Sequence, residues 1–273
     1  VPELPEVETV RAGLEKTIKG KTIKGVFTSG KKMREMPSKS DLQKLKNTVI
    51  KNIERRSKYL LIRLSNSNIL IIHLGMRGKV IFKDNNYKPQ KHDHLILDLS
   101  GGLKMVFNDA RRFGLYLIIG EEYLSGNKLF KDLGPEPLID DFNGKYLKNI
   151  FKNKTVNIKQ AVMDAKNVVG VGNIYAAESL FRSKINPETA SNKLSLAKLS
   201  EFAKHIKQVL QEAIESGGST LRDYVRSDGG MGYFQNKHYV YGRENLPCFI
   251  CGTKIKRIKQ QGRSTFYCPK CQK

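Results

Sequence analysis

The sequence predicts an α+β protein: an N-terminal helix with an eight-stranded β-sandwich, then a helical domain ending in a cysteine-flanked β-hairpin. Three observations predict it. Apolar residues recur at helical spacing over the first twenty positions, and short alternating or apolar runs broken by polar turns then fill the chain to residue 119. Beyond a Gly134-Pro135-Glu136-Pro137 connector the period becomes helical, until four cysteines fall between Cys248 and Cys271.

In the first helix, from Glu3 to about Lys19, Val7, Val10, Leu14 and Ile18 form one apolar stripe and Gly20 ends it. Strands are expected at 22–28, 49–55, 59–64, 69–74, 79–82, 94–99, 104–108 and 115–119; eight in about a hundred residues suit a sandwich or flattened barrel. Helices are expected at 142–151, 158–164, 173–182 and 195–215. The last has the clearest stripe, from Leu196 and Leu199 through Phe202, Ile206, Val209, Leu210 and Ala213 to Ile214, with Gly217-Gly218 as its stop. Glycines at 217, 218, 229, 230 and 232 predict a long mobile loop over 217–237. The expected domains are 1–133, 134–237 and 238–273.

A formal net charge of +23, from 49 Lys+Arg against 26 Asp+Glu, implies a polyanionic partner, most simply nucleic acid. A membrane surface is the rival, but no basic amphipathic helix with a bulky apolar face, lipidation signal or apolar run near 18 residues is present. The acidic opening, with Glu3, Glu6 and Glu8, is no signal peptide. A soluble, monomeric cytoplasmic protein that does not engage membranes is expected.

Cys248-Phe249-Ile250-Cys251, sixteen residues, then Cys268-Pro269-Lys270-Cys271 is the spacing of a four-cysteine zinc ribbon holding one structural ion. Lys254, Lys256, Arg257, Lys259 and Arg263 lie between the pairs, with Gly262 near a hairpin tip, placing cations on a finger suited to a DNA groove or phosphates. Gly170-Val171-Gly172-Asn173 opens a helix, either as an anion site or as an ordinary cap. Arg55 and Arg56 read as a solvated strand end, and Lys58 as a partly buried lysine. Met76, Arg111 and Phe113 lie in glycine-flanked turns leaving strands; they read as a wedge for a base stack or as core residues. His92-Asp93-His94 reads as polar residues where a strand begins.

Val1-Pro2-Glu3 carries a chemical possibility. With Pro2 as the true terminus its nitrogen is a free secondary amine of pKa about 7.7–8.0, roughly a tenth or more neutral at pH 7, able to attack a sugar carbon and form an iminium. Val1 reads as a literally translated GTG start codon, decoded as methionine and trimmed in the cell. The plainer reading is that Pro2 and Pro5 preset φ before a helix.

The opening Pro2 to Glu8, Arg56-Ser57-Lys58-Tyr59-Leu60, His73-Leu74-Gly75-Met76, Lys91 to His94, Asp109 to Gly114, the 134–137 connector, Gly170 to Tyr175 and the cysteine ribbon together resemble the bacterial formamidopyrimidine-DNA glycosylases. The motifs run in that family's order from residue 2 to 271. The resemblance implies a helix-two-turn-helix arrangement for the helical domain. It also implies a bifunctional base-excision enzyme that removes 8-oxoguanine and ring-opened purines from damaged double-stranded DNA and then cuts the strand by β,δ-elimination. On that resemblance Pro2 attacks the sugar, Glu3 donates a proton to open it, Lys58 donates in elimination, and Arg263 contacts phosphates and assists the later elimination. Met76, Arg111 and Phe113 fill the gap left by the flipped nucleotide; His92, Arg111, Lys154 and Asn173 hold DNA; the loop over 217–234 closes over the extruded base.

The departures from the family pattern are Val1 ahead of the nucleophile, Ser57 where a small residue is common, and Ile158-Lys159-Gln160-Ala161 where proline is usual. An endonuclease VIII type enzyme, preferring oxidised pyrimidines, and a non-enzymatic zinc-ribbon DNA-binding protein are the alternatives.

Overall fold

The computed structural model describes residues 2–217 and 238–273, which fall into two compact units, the first of 2–131 with 216–217 and the second of 132–215 with 238–273. The first unit opens with α1 (Leu4–Ile18), followed by β1 (Ile23–Thr28), a short α2 (Lys39–Gln43), β2 (Ile50–Arg56), β3 (Tyr59–Leu64), β4 (Asn68–His73), β5 (Lys79–Asp84), β6 (Asp93–Leu99), β7 (Leu103–Asn108) and β8 (Leu115–Gly120). All eight expected strands form, their ends displaced by a residue or two.

They make two antiparallel four-stranded sheets, ordered β1-β6-β7-β5 and β2-β3-β4-β8. One core joins them. Leu60, Ile62, Leu64, Leu70 and Ile72 from one sheet share a cluster with Val80, Leu95, Leu97, Met105 and Phe107 from the other. The α1 stripe of Val7, Val10, Leu14 and Ile18 is buried in that same cluster, which anchors the start of the chain to the sandwich. The α2 helix is absent from the sequence expectations; its five residues bury nothing, and a Ser38 cap accepting the Asp41 N–H at 3.1 Å starts it.

The second unit holds α3 (Gly144–Phe151), α4 (Ile158–Met163), α5 (Asn173–Arg182), α6 (Leu196–Glu215) and the hairpin β9 (Lys256–Gln260) and β10 (Arg263–Tyr267). Asn143 and Asn157 cap α3 and α4 through the N–H groups of Tyr146 and Gln160. The stripe of α6 is buried from Leu199 to Ala213, but Leu196, expected in it, is 45% exposed because it only opens the helix. Among the described residues no helix is long and apolar enough to cross a membrane. The glycine-rich loop expected over 217–237 lies, beyond Gly217, outside the described residues.

Glu178 joins α5 to the segment leading into the finger. Its carboxylate is 1% exposed and accepts the N–H groups of Tyr239, Val240 and Tyr241 at 2.9, 3.0 and 2.8 Å. Burial pushes its carboxyl above the ordinary value, against the pull of those three donors and of Arg182. Glu178→Ala strands three donors, at about 1–3 kcal/mol each. Urea titration of this variant is expected to show the second unit destabilised by about 3 kcal/mol or more; a loss under about 1 kcal/mol contradicts this account of the carboxylate.

Candidate active site and metal centre

The first turn of α1 fixes the two leading candidates. Pro2 is buried, Glu3 is the N-cap residue at 3% exposure, and the Glu6 carboxylate accepts the Glu3 N–H at 2.8 Å in a capping box. One turn on, Glu8 Oε2 accepts from Arg55 Nε at 2.9 Å, and Arg55 Nη1 donates to the Ser57 carbonyl at 3.0 Å. Arg55 is therefore no solvated strand end: with its side chain 10% exposed it ties α1 to the turn that holds Lys58. The pairing of Arg56 with Tyr59 leaves Ser57 and Lys58 as a two-residue hairpin tip, and Ser57 takes φ of +56°. A positive φ at the first tip residue is the geometry that favours glycine, so the small side chain there has a backbone reason.

His73 pairs with Tyr59 across β3 and β4, their ring centroids 4.8 Å apart. Burial first, then the Arg34 and Lys58 cations, push its pKa down to about 3. The imidazole is thus neutral at physiological pH, and Nδ1 accepts the Gly75 N–H at 3.0 Å. This shift contributes stability that is present above pH 6.5 and falls as the pH drops from 6.5 toward 3.

Gly75 is irreplaceable on packing grounds. At φ +65° a Cβ on it would stand 2.4 Å from the Gly114 nitrogen and 2.5 Å from the Phe113 carbonyl carbon. That close approach brings the 73–78 and 109–114 turns together. Asp109, fully buried, holds the second turn by accepting the N–H groups of Arg111 at 3.0 Å and Gly114 at 2.8 Å. Its own N–H bonds the His92 carbonyl at 3.0 Å, placing half-buried His92 beside the same turn.

Met76 and Phe113 are 38% and 45% exposed, so they are not core residues. The Arg111 guanidinium lies 4.6 Å over the Phe113 ring. All three line one cleft of about 640 Å³ with Lys32, Arg34 and His73, an apolar set rimmed by cations. Of the His92-Asp93-His94 trio, Asp93 and His94 are structural. Asp93 accepts from Tyr87 Oη, the Gln90 N–H and Asn108 Nδ2 at 2.7–2.8 Å, and the His94 ring bonds Ser29 Oγ and the Asp109 carbonyl at 2.8 and 2.9 Å.

In the second unit, Lys154 and Arg263 line one cleft of about 500 Å³. Asn173, the first residue of α5, donates from Nδ2 to the Ser264 carbonyl at 2.9 Å, next to Arg263. Lys159, seen in the sequence only as part of a departure, is 2% exposed; its Nζ donates to Asn173 Oδ1 and, at 2.6 Å, to Thr265 Oγ1. A buried ammonium requires such partners, and these join α4, α5 and β10. The sequence contained no sign of them, because the partners are far along the chain. The loop expected to close over the extruded base, 217–234, lies beyond Gly217 outside the described residues.

The four cysteine Sγ atoms lie within 4.8 Å of one another, with 3.9 Å between Cys248 and Cys271 and 3.5 Å between Cys251 and Cys268. Tetrahedral zinc with Zn–S near 2.3 Å requires S···S near about 3.8 Å, so the donor set fits one structural zinc ion. Cys248 and Cys268 pack with Ile255, Val240, Ala177 and Phe181, fixing the finger against α5.

A helix-capped β-sandwich bearing an exposed Met–Arg–Phe set, with paired helices and a four-cysteine finger, defines the class of DNA-repair glycosylases. Family models match residues 1–116 as the formamidopyrimidine-DNA glycosylase N-terminal domain, 133–225 as the formamidopyrimidine-DNA glycosylase H2TH domain, and 245–273 as the zinc finger found in FPG and IleRS. The chain belongs to the formamidopyrimidine-DNA glycosylase family. It is 46% identical over 272 residues to the formamidopyrimidine-DNA glycosylase of Wolbachia pipientis wMel and 45% identical over 273 residues to that of an Escherichia coli O6:H1 strain, covering all of both chains in each case. Among solved structures it is similar to a mutant Lactococcus lactis FPG in complex with Fapy-dG containing DNA (36% identity, TM-score 0.94) and to MutM in complex with carbocyclic 8-oxo-G containing DNA (36%, TM-score 0.92), each covered in full.

Proposed function

We propose that this chain removes 8-oxoguanine and formamidopyrimidines from duplex DNA and then cleaves the strand as an abasic-site lyase. The observation that carries the reading is the pairing of Pro2 and Glu3, both buried at the start of a helix whose first turn Glu6 holds. Relatives with full coverage were captured on DNA bearing Fapy-dG and 8-oxo-G, which supports the lesion class.

In this reading the Pro2 nitrogen, freed of Val1, attacks C1′ of the extruded nucleoside as its bond to the base breaks. Glu3 protonates the sugar ring oxygen as the ring opens, leaving an iminium between Pro2 and C1′. The iminium is the electron sink that acidifies the C2′ proton, so the 3′-phosphate leaves by β-elimination and the 5′-phosphate by δ-elimination. Lys58 supplies a proton in these steps and Arg263 neutralises departing phosphate charge. Met76, Arg111 and Phe113 fill the vacated stack, offsetting the few kcal/mol that extrusion costs. His92, Arg111, Lys154 and Asn173 hold the backbone. Residues 1–133 thus carry the base excision and Lys58, while 134–237 and 238–273 grip the duplex and bring Arg263 to the later elimination, with zinc held by Cys248, Cys251, Cys268 and Cys271 keeping the finger rigid.

Protein whose chain starts at Pro2 is expected to cut duplexes with 8-oxoguanine opposite cytosine at least about tenfold faster than duplexes with thymine glycol. Faster cutting of thymine glycol contradicts the purine reading, and binding without cleavage of either contradicts the enzymatic one.

A further inference from the structure

The second unit has another cleft, which the proposed reaction does not use. Its volume, about 740 Å³, is in the range of pockets that bury a small ligand or a few residues of peptide. It lies between the C-terminal end of α5, α6 and the cysteine finger. Half-buried Tyr239, stacked on the core residue Phe181 with ring centroids 5.5 Å apart, forms an apolar wall. Ile250, at the tip of the first cysteine knuckle, adds to it and is 67% exposed, as is Phe249 beside it.

The rim is cationic. Lys184, Lys198, Lys270 and Lys273 line it, and among the described residues none of the four has an ion-pair partner. The one acidic side chain in the lining, Glu212, is engaged in a bidentate pair with Arg182 at 2.7 and 2.6 Å.

One feature separates this cleft from a phosphate site, its apolar wall: a bare phosphate chain has nothing to place against Tyr239 and Ile250.

We propose that this cleft docks a short acidic peptide segment of a partner protein, one that carries a large apolar side chain among its carboxylates. The apolar side chain lies against Tyr239 and Ile250 and provides the anchor, as buried anchors do in peptide recognition. The four lysines select the acidic flanks and speed encounter. The cleft shares no lining residue with the cleft of Lys154 and Arg263.

The test uses zinc-loaded protein and a fluorescein-labelled peptide of aspartate and glutamate with one central phenylalanine, read by anisotropy. Lys184→Glu with Lys273→Glu is expected to weaken binding at least about tenfold, and Ile250→Ala about fivefold, with cleavage of 8-oxoguanine duplex unchanged in both variants. Replacing the peptide's phenylalanine by alanine should cost as much as Ile250→Ala. Zinc content and thermal midpoint are measured for each variant, and Lys184→Gln with Lys273→Gln replaces the charge-reversed pair if that pair loses zinc. Displacement of the peptide by undamaged duplex assigns the cleft to the DNA surface and overturns the proposal. Absence of binding, or binding indifferent to the phenylalanine or to the lysines, overturns it equally.

Discussion

Glu3→Gln is expected to lower base excision by roughly 10²–10⁴-fold, the usual contribution of a positioned general acid, while duplex affinity stays within about threefold. The change is nearly isosteric at a site 3% exposed, and the Glu3 backbone N–H that bonds Glu6 is untouched. The fold at the start of α1 therefore persists and only the transferable proton is lost. Single-turnover excision of 8-oxoguanine beside a binding titration on an uncleavable abasic analogue separates the two. Normal excision by the variant contradicts the acid role.

Stripping zinc is expected to abolish tight DNA binding without a comparable change in the chemical step on DNA that remains bound. Zinc contributes about 10–16 kcal/mol to folding in isolated finger peptides, and the core behind the cysteines is small, built around Ala177, Phe181, Val240 and Ile255. Without the ion β10 has little to fix it. Asn173 then loses its bond to the Ser264 carbonyl, Lys159 loses Thr265, and Arg263 loses its place beside Lys154. For every phosphate that the protein no longer neutralises, the slope of log affinity against log salt should also fall by about 1. Chromogenic titration of released zinc, paired with DNA binding at several salt concentrations, measures this. Unchanged affinity and slope in zinc-free protein contradict a gripping role for the finger.

The architecture was legible because period and burial agree. The run Ile69-Leu70-Ile71-Ile72 is buried on both faces of β4, and the α1 stripe shares the core with both sheets, so apolar pattern alone placed them. The cysteines were legible because ligand spacing is a local property. Residues whose meaning lies in a distant partner were not. Arg55 looked like a solvated strand end because Glu8, its partner, is on another element. Lys159 looked like a departure because Asn173 and Thr265 come from α5 and β10. In the sequence Met76 and Phe113 read equally as wedge or core; the close approach at Gly75 and the buried Asp109 carboxylate account for their exposure. The short α2 carries no apolar stripe at all, so periodicity had nothing to register.

The central claim is that the nitrogen of Pro2 becomes bonded to deoxyribose. Borohydride reduction of the enzyme on abasic duplex, followed by peptide mapping of the covalent adduct, tests it most directly. Protein that begins at Pro2 should yield one adduct, on the N-terminal peptide at Pro2, and acetylation of that nitrogen should abolish it. An adduct mapped to Lys58 or any other lysine, or trapping that survives acetylation of Pro2, contradicts the account.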